Sequence, residues 1–239
     1  MSGHSKWATT HRQKAIVDAK RGAIFTKIGN QIAIAARGGT DPTTNSALAM
    51  AIEKAKAANM PNANIQRAID RVNDKNAAAL EEVTYEAYGP GGVGIIVEAA
   101  TDNKNRTYPE VRTALTKNGG TMADAGSVMF QFTRKGVIRV AATGEDALLQ
   151  VLDAGAEDLK AEDDVFEIYT TPEDFDAVEQ ALADAGIETE VAKITMIPDT
   201  TIELSGDDAV KMQKMLDVLD DLDDVQNVYH NGILPDDEE

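Results

Sequence analysis

The stretch Val83-Thr84-Tyr85-Glu86-Ala87-Tyr88-Gly89-Pro90-Gly91-Gly92-Val93-Gly94-Ile95-Ile96-Val97 decides the architecture. Before it, apolar residues recur at helical spacing. Within it they alternate, with Val83, Tyr85 and Ala87 on one side, as in a half-buried strand. Gly89-Pro90-Gly91-Gly92 is a turn, and 93–100 is a second, more apolar strand. Gly89, Gly91 and Gly94 formally complete G-x-G-x-x-G. A dinucleotide loop, however, must be followed by a helix whose N-terminus meets the phosphate. Ile95-Ile96-Val97 is strand-like, so the stretch reads as a β-hairpin. No G-x-x-x-x-G-K-[ST] phosphate cradle occurs elsewhere.

Upstream, Ile24, Ile28, Ile32 and Ala35 form one stripe of a 3.6-residue period. Gly38-Gly39 ends that helix and Asp41-Pro42 marks a turn. Thr43, Thr44 or Asn45 can cap the next helix, which carries Leu48, Ile52 and Ala55 inward. Met60-Pro61 breaks it. A third helix over 62–72 places Ile65, Ala68, Ile69 and Val72 inward, which makes a small Ala-rich bundle.

Downstream, Tyr108-Pro109 reads as the start of a helix through Val111, Leu115 and Asn118, ended by Gly119-Gly120. Val128, Phe130 and Phe132 alternate as a third strand, giving β-β-α-β. A strand at 137–140, a helix at 145–152, a strand at 165–169, a helix at 172–184 and a strand at 187–197 give β-α-β-α-β. A helix through Val210, Leu216, Leu219 and Leu222 and a strand at 225–229 are left over. The preferred solution returns this pair to complete the middle domain, so that the 135–200 unit is inserted. The alternative packs the pair on the third unit.

The 239 residues hold 23 Lys and Arg against 41 Asp and Glu, a net charge of −18, but the charge is unevenly spread. Residues 1–75 are net +7, 76–139 neutral and 140–239 net −25. A polyanion responds to the field within a Debye length of about 10 Å at 0.1 M salt, not to the molecular total. The first segment therefore points to nucleic acid. Lys6, Arg12, Lys14, Lys20, Arg21, Lys27 and Arg37 are answered only by Asp18 before Asp41. Trp7, the only Trp, sits among His4, Lys6 and His11, where an indole can stack on an unpaired base while cations meet phosphates. The competing reading is a solvated helix face with Trp7 stapled to the bundle. Lys104, Arg106 and Arg112 form a second cluster in or after an Asn-rich loop.

Enzyme chemistry finds little support. With no Cys, disulfides, thiolate metal sites and a Cys nucleophile are excluded. His4, His11 and His230 have no metal-ligand spacing, and Ser127 has no G-x-S-x-G context. Asp220-Asp221-Leu222-Asp223-Asp224 lacks the Gly and the closing Glu of an EF-hand loop. No metal or cofactor is expected. No run approaches the ~18 apolar residues of a membrane span, and residues 1–14 lack an apolar signal core, so a cytoplasmic location is expected.

Met1-Ser2-Gly3-His4-Ser5-Lys6-Trp7, Asp18-Ala19-Lys20-Arg21-Gly22 and Phe25-Thr26-Lys27-Ile28 together resemble the opening of the YebC family. So do Ala58-Asn59-Met60-Pro61, Tyr85 to Gly92, Thr101-Asp102-Asn103-Lys104-Asn105-Arg106-Thr107 and Gly126-Ser127-Val128. Position 104 is Lys where the family pattern suggests Arg, which keeps charge but loses bidentate geometry. The resemblance implies an α+β protein: an N-terminal helical bundle followed by two ferredoxin-like α/β domains, the third inserted in the second. The expected boundaries are 1–78, 79–134 with 203–239, and 135–202. It also implies a non-enzymatic regulator of gene expression that binds rRNA on the ribosome, or DNA as a transcription regulator. His4, Lys6 and Trp7 would then reach RNA, with Arg12, Lys14, Lys20, Arg21 and Lys27 on phosphates and Asn103, Lys104 and Arg106 as a second contact loop. Basic ribosomal proteins are further expected partners, and a monomer is expected. The competing class is an acidic interaction module that binds a basic partner.

Overall fold

The computed structural model describes residues 21–74, 78–141, 151–162 and 165–235. Helix α1 (Arg21–Ala35) runs into a short 3₁₀ turn, Ala36–Gly38, and Gly39 follows with a positive φ of 139°. Helix α2 (Ser46–Ala57) comes next. Of its three candidate caps, Asn45 is the one used. Its Oδ1 accepts the Leu48 N–H at 3.1 Å, while its amide donates to the Ala35 and Gly39 carbonyls, each at 2.8 Å. One side chain thus satisfies orphan groups at the end of α1 and the start of α2. Helix α3 (Asn62–Asp70) tightens into a 3₁₀ turn, Arg71–Asn73. Ile28, Ile32, Leu48, Met60, Ile65 and Ile69 form the bundle core. Val72, expected inward, is 39% exposed, because the 3₁₀ turn winds it off the apolar stripe.

Strands β1 (Glu81–Tyr88) and β2 (Gly94–Thr101) pair antiparallel across Pro90–Gly92. This is the expected hairpin. A Cβ on Gly91 would lie 2.6 Å from Leu204 Cδ2, so the glycine serves close packing of the chain. Helix α4 (Lys104–Lys117) begins four residues before the expected Tyr108-Pro109 start. Asn103 supplies the earlier cap, its Oδ1 accepting from the backbone N–H of Asn105 at 3.1 Å and of Arg106 at 3.3 Å. Pro109 therefore sits inside the helix.

The third strand of this sheet is β3 (Thr121–Met122), paired with β1, not the expected run from Val128 to Phe132. Met129–Gln131 is a 3₁₀ turn. The reason is Glu86, only 7% exposed, whose carboxylate accepts the N–H groups of Gly126 (2.5 Å), Val128 (2.6 Å) and Met129 (2.7 Å). Backbone donors that a strand would use are turned onto a side chain.

Strand β4 (Phe132–Ala141) absorbs the expected 137–140 strand and belongs to a second sheet. The 145–152 helix falls largely on residues outside the described set, although 151–153 are helical. Strand β5 (Ala156–Glu162) was not expected: it carries one large apolar residue, Leu159, and charged edge strands hide from periodicity arguments. It pairs with β6 (Val165–Thr170), which pairs with β4. Helix α5 (Phe175–Asp184) and strand β7 (Thr189–Pro198) complete the order β5-β6-β4-β7, all antiparallel. Ile138, Val140, Ile168, Phe175, Val178 and Leu182 form its core. Directly opposed on β4 and β6, Arg139 and Glu167 form a buried ion pair at 3.1 Å, and Tyr169 Oη donates to the same carboxylate at 2.8 Å.

After β8 (Ile202–Glu203), helix α6 (Gly206–Asp220) and strand β9 (Val225–His230) return to the first sheet. Strand β9 pairs antiparallel with β2, giving the order β3-β1-β2-β9, and β10 (Gly232–Ile233) pairs with β8. Met212, Met215, Leu216 and Leu219 of α6 pack with Val111 and Leu115 of α4 against Ile95 and Val97. The leftover pair thus completes the sheet of the middle domain, and the other sheet is the insertion. Residues 130–201 form one compact unit, and the remaining described residues form another.

Two stability outcomes follow. Burial pushes the Glu86 carboxyl up, but its three backbone donors outweigh that and hold it below the usual carboxylate range. Its contribution is therefore complete above the unfolded value near ~4.3 and is lost as pH falls through the lowered native value. In urea unfolding, Glu86→Gln should cost about 1–3 kcal/mol at neutral pH and shed this acid limb. Arg139→Met leaves Glu167 buried without its counter-charge and should cost about 3–5 kcal/mol; adding Glu167→Leu should restore most of it. Equal loss in the single and double variants would refute that account.

Candidate nucleic-acid interface

His4, Lys6, Trp7, His11, Arg12, Lys14 and Lys20 lie outside the described residues. Arg21 opens α1. The other sequence-derived candidates fall into two groups. Asn103, Lys104, Arg106 and Lys27 are engaged within the chain, whereas Arg37 is exposed after α1.

Asn103 is occupied as the cap of α4. Lys104 forms an ion pair with Glu81, which raises its pKa. Arg106 bonds Asp224 at 2.8 Å and Asp102 at 3.0 Å, and its pKa is raised by both. Asp224 is itself nearly buried and also accepts from Thr107 Oγ1 at 2.7 Å and Thr101 Oγ1 at 3.3 Å. Lys27, half-buried on α1, donates to the Asp220 carbonyl at 2.6 Å. Burial lowers its pKa, against the raising effect of Asp220, Asp221 and Asp223. Arg112 is exposed on α4.

Thr26, Asn30 and Arg71 face Asp102, Arg106 and residues 221–224 across a cleft of about 520 Å³. Arg71 was missed by the sequence reading. It lies in the 3₁₀ turn after α3, reaching Asn30 Oδ1 and Asp102 Oδ2, both at the long distance of 3.5 Å. Its guanidinium is therefore weakly committed. It borders two further grooves. One, of about 250 Å³, also holds Arg37, Ala33, Val72 and Leu80. The other, of about 300 Å³, holds Phe25, Gly29, Asn30, Asn64 and Arg67. Arg71 borders both grooves, with Arg37 and the carboxylate of Asp74 on one and Arg67 on the other. Arg37 and Arg67 are exposed and have no carboxylate partner among the described residues. The i, i+4 spacing of Arg67 and Arg71 was the available signal.

Among the described residues, no group of three or more His, Asp or Glu side chains is arranged to hold a metal ion. No helix among them is long and apolar enough to cross a membrane.

Comparison with known proteins agrees with the layout. Residues 5–75 match the domain described as "TACO1/YebC protein N-terminal domain", and residues 80–232 match "TACO1/YebC second and third domain". A "probable transcriptional regulatory protein" of Desulforamulus reducens is 51% identical over 238 residues, covering 97% of this chain and 98% of the relative. One of the same description from Anoxybacillus flavithermus is 50% identical, covering 97% of each. The crystal structure of a conserved hypothetical protein, Aq1575 from Aquifex aeolicus, superposes with a TM-score of 0.80 at 42% identity, covering 94% of this chain and 95% of that one. Its helical layer, split sheet and inserted sheet, together with matches that span nearly its whole length, place this chain in the TACO1/YebC family.

Proposed function

We propose that the protein is a non-catalytic, cytoplasmic regulator of gene expression that binds nucleic acid through its N-terminal helical layer, with ribosomal RNA as the favoured ligand. The observation that carries this reading is the run Arg37–Arg71–Arg67 along adjoining grooves, on the segment whose sequence is net positive. Guanidiniums beside concave, partly apolar surface suit a strand whose phosphates and bases are both accessible. The first segment supplies long-range attraction through Lys6, Arg12, Lys14 and Lys20. The strongly acidic last hundred residues repel polyanion and favour one-sided binding, and basic ribosomal proteins are the partners that surface would suit. The relatives' descriptions support a regulatory role; ribosomal against duplex DNA binding is what the experiment separates.

Co-sedimentation with ribosomes, with duplex DNA as competitor at fixed salt, should show ribosome binding that the duplex displaces poorly. Full displacement would favour the DNA-binding transcription regulator. For single strands, log affinity should fall with log salt at about −0.7 per phosphate contact. Arg37→Glu with Arg67→Glu should weaken binding about tenfold or more and flatten that slope by roughly one to two contacts. Lys104→Ala, whose cation is already held by Glu81, should change affinity by less than about twofold. Unchanged affinity in the Arg37/Arg67 variant, or a large loss in the Lys104 variant, contradicts the assignment.

A further inference from the structure

We propose that the groove between α1 and α3 is a subsite for one unstacked nucleotide of a single strand. The inference rests on the nucleic-acid reading above and narrows it to a place and a ligand form. The groove, about 300 Å³, is bordered by Phe25 and Gly29 of α1 and by Asn64, Arg67 and Arg71 on and after α3. Each feature fits one part of a nucleotide. Phe25 is half-buried with its other side packed on the bundle core, a fixed ring against which a base can stack. Asn30, only 6% exposed, also lines the groove, its Oδ1 bonded at the long distance of 3.5 Å. With Asn64 it offers amides able to meet a base edge. Arg67 and Arg71 stand one helical turn apart, where a phosphate can be held from two sides. A stacked duplex cannot deliver a base into such a groove without flipping it, so the subsite favours single strands.

Gly29 makes the site testable without touching a charge. It lies within α1, and among the described residues a Cβ there would meet Met60 Cε, at an ordinary 3.8 Å. Leucine at that position is compatible with the helix and improves its propensity, while its side chain fills the groove. The test is fluorescence anisotropy on the full-length protein with a short oligouridylate, its thymidylate counterpart and a blunt DNA duplex, at one salt concentration. Gly29→Leu should weaken single-strand binding about tenfold, since stacking one base accounts for that much, and leave duplex binding within about twofold. Phe25→Leu, which keeps an apolar side chain but removes the ring, should show the same selective loss and provides the test if Gly29→Leu misfolds by circular dichroism. Comparable loss for RNA and DNA strands assigns the base; loss for RNA alone adds a 2′-hydroxyl contact. Single-strand binding unchanged in both variants overturns the subsite while leaving the general reading intact. Equal loss for strand and duplex also overturns it. A wild-type protein that binds none of the probes removes both.

Discussion

Asp224 is the constraint on which the layout depends. A nearly buried carboxylate is tolerated only when donors surround it. Here the donors come from the end of β2 (Thr101) and the first turn of α4 (Arg106, Thr107); Arg106 also pairs with Asp102, which Arg71 reaches from the other side. The Asp224 carbonyl also accepts the Ala100 N–H at 2.8 Å. The returning α6–β9 pair is thereby fixed at the point where β9 enters beside β2. β9 is the edge strand of its sheet, and the anchor adds to its ladder and to the burial of Val225 at the end of a chain excursion of some seventy residues through the inserted sheet.

The same arrangement redistributes the cations. Residues 101–107 look like a basic contact loop when read as a string, because Lys104 and Arg106 flank asparagines. Folded, Asn103 is a cap, Lys104 faces Glu81, and Arg106 is shared by Asp102 and Asp224. The segment is a structural joint. Lys27 follows the same logic, its ammonium drawn to the carbonyl that ends α6 and to the acidic turn beyond. A helix C-terminus with unpaired carbonyls is a natural acceptor for a cation.

Sequence reading succeeded where local chemistry and long-range packing agree. The stripe through Ile28 and Ile32, a cap for α2 among residues 43–45, the Gly89–Gly92 turn and the return of the last helix and strand all follow from period, capping and the need to bury an apolar face. It failed where a distant partner rewrites local preference. The backbone after Gly126 alternates like a strand, yet Glu86, some forty residues earlier, claims its N–H groups. Strand β5 escaped because its side chains serve an edge, not a core. The grooves were illegible for another reason: Phe25, Asn30, Gly29 and Arg67 come from two helices whose relative placement no single periodicity encodes.

The local charge balance decides what kind of binding the described surface can support. Residues 21–74 carry seven Lys and Arg against four Asp and Glu, and the turn packed beside them adds Asp220, Asp221, Asp223 and Asp224. Within a Debye length of about 10 Å these nearly cancel, so this surface generates little steering field. Residues 1–20 carry four cations and one carboxylate, an excess that no such acidic turn is seen to offset among the described residues. On the proposed nucleic-acid reading, attraction and selection fall to different parts of the same segment. Under the proposed function, the first twenty residues would supply a salt-sensitive, sequence-indifferent pull. Under that reading the grooves add short-range contacts that count only when a base or phosphate is seated; stacking there fades little with salt, whereas arginine–phosphate contacts share the salt dependence. Under the proposed function, a near-neutral groove can thus discriminate among nucleic acids that a net positive charge alone would bind alike.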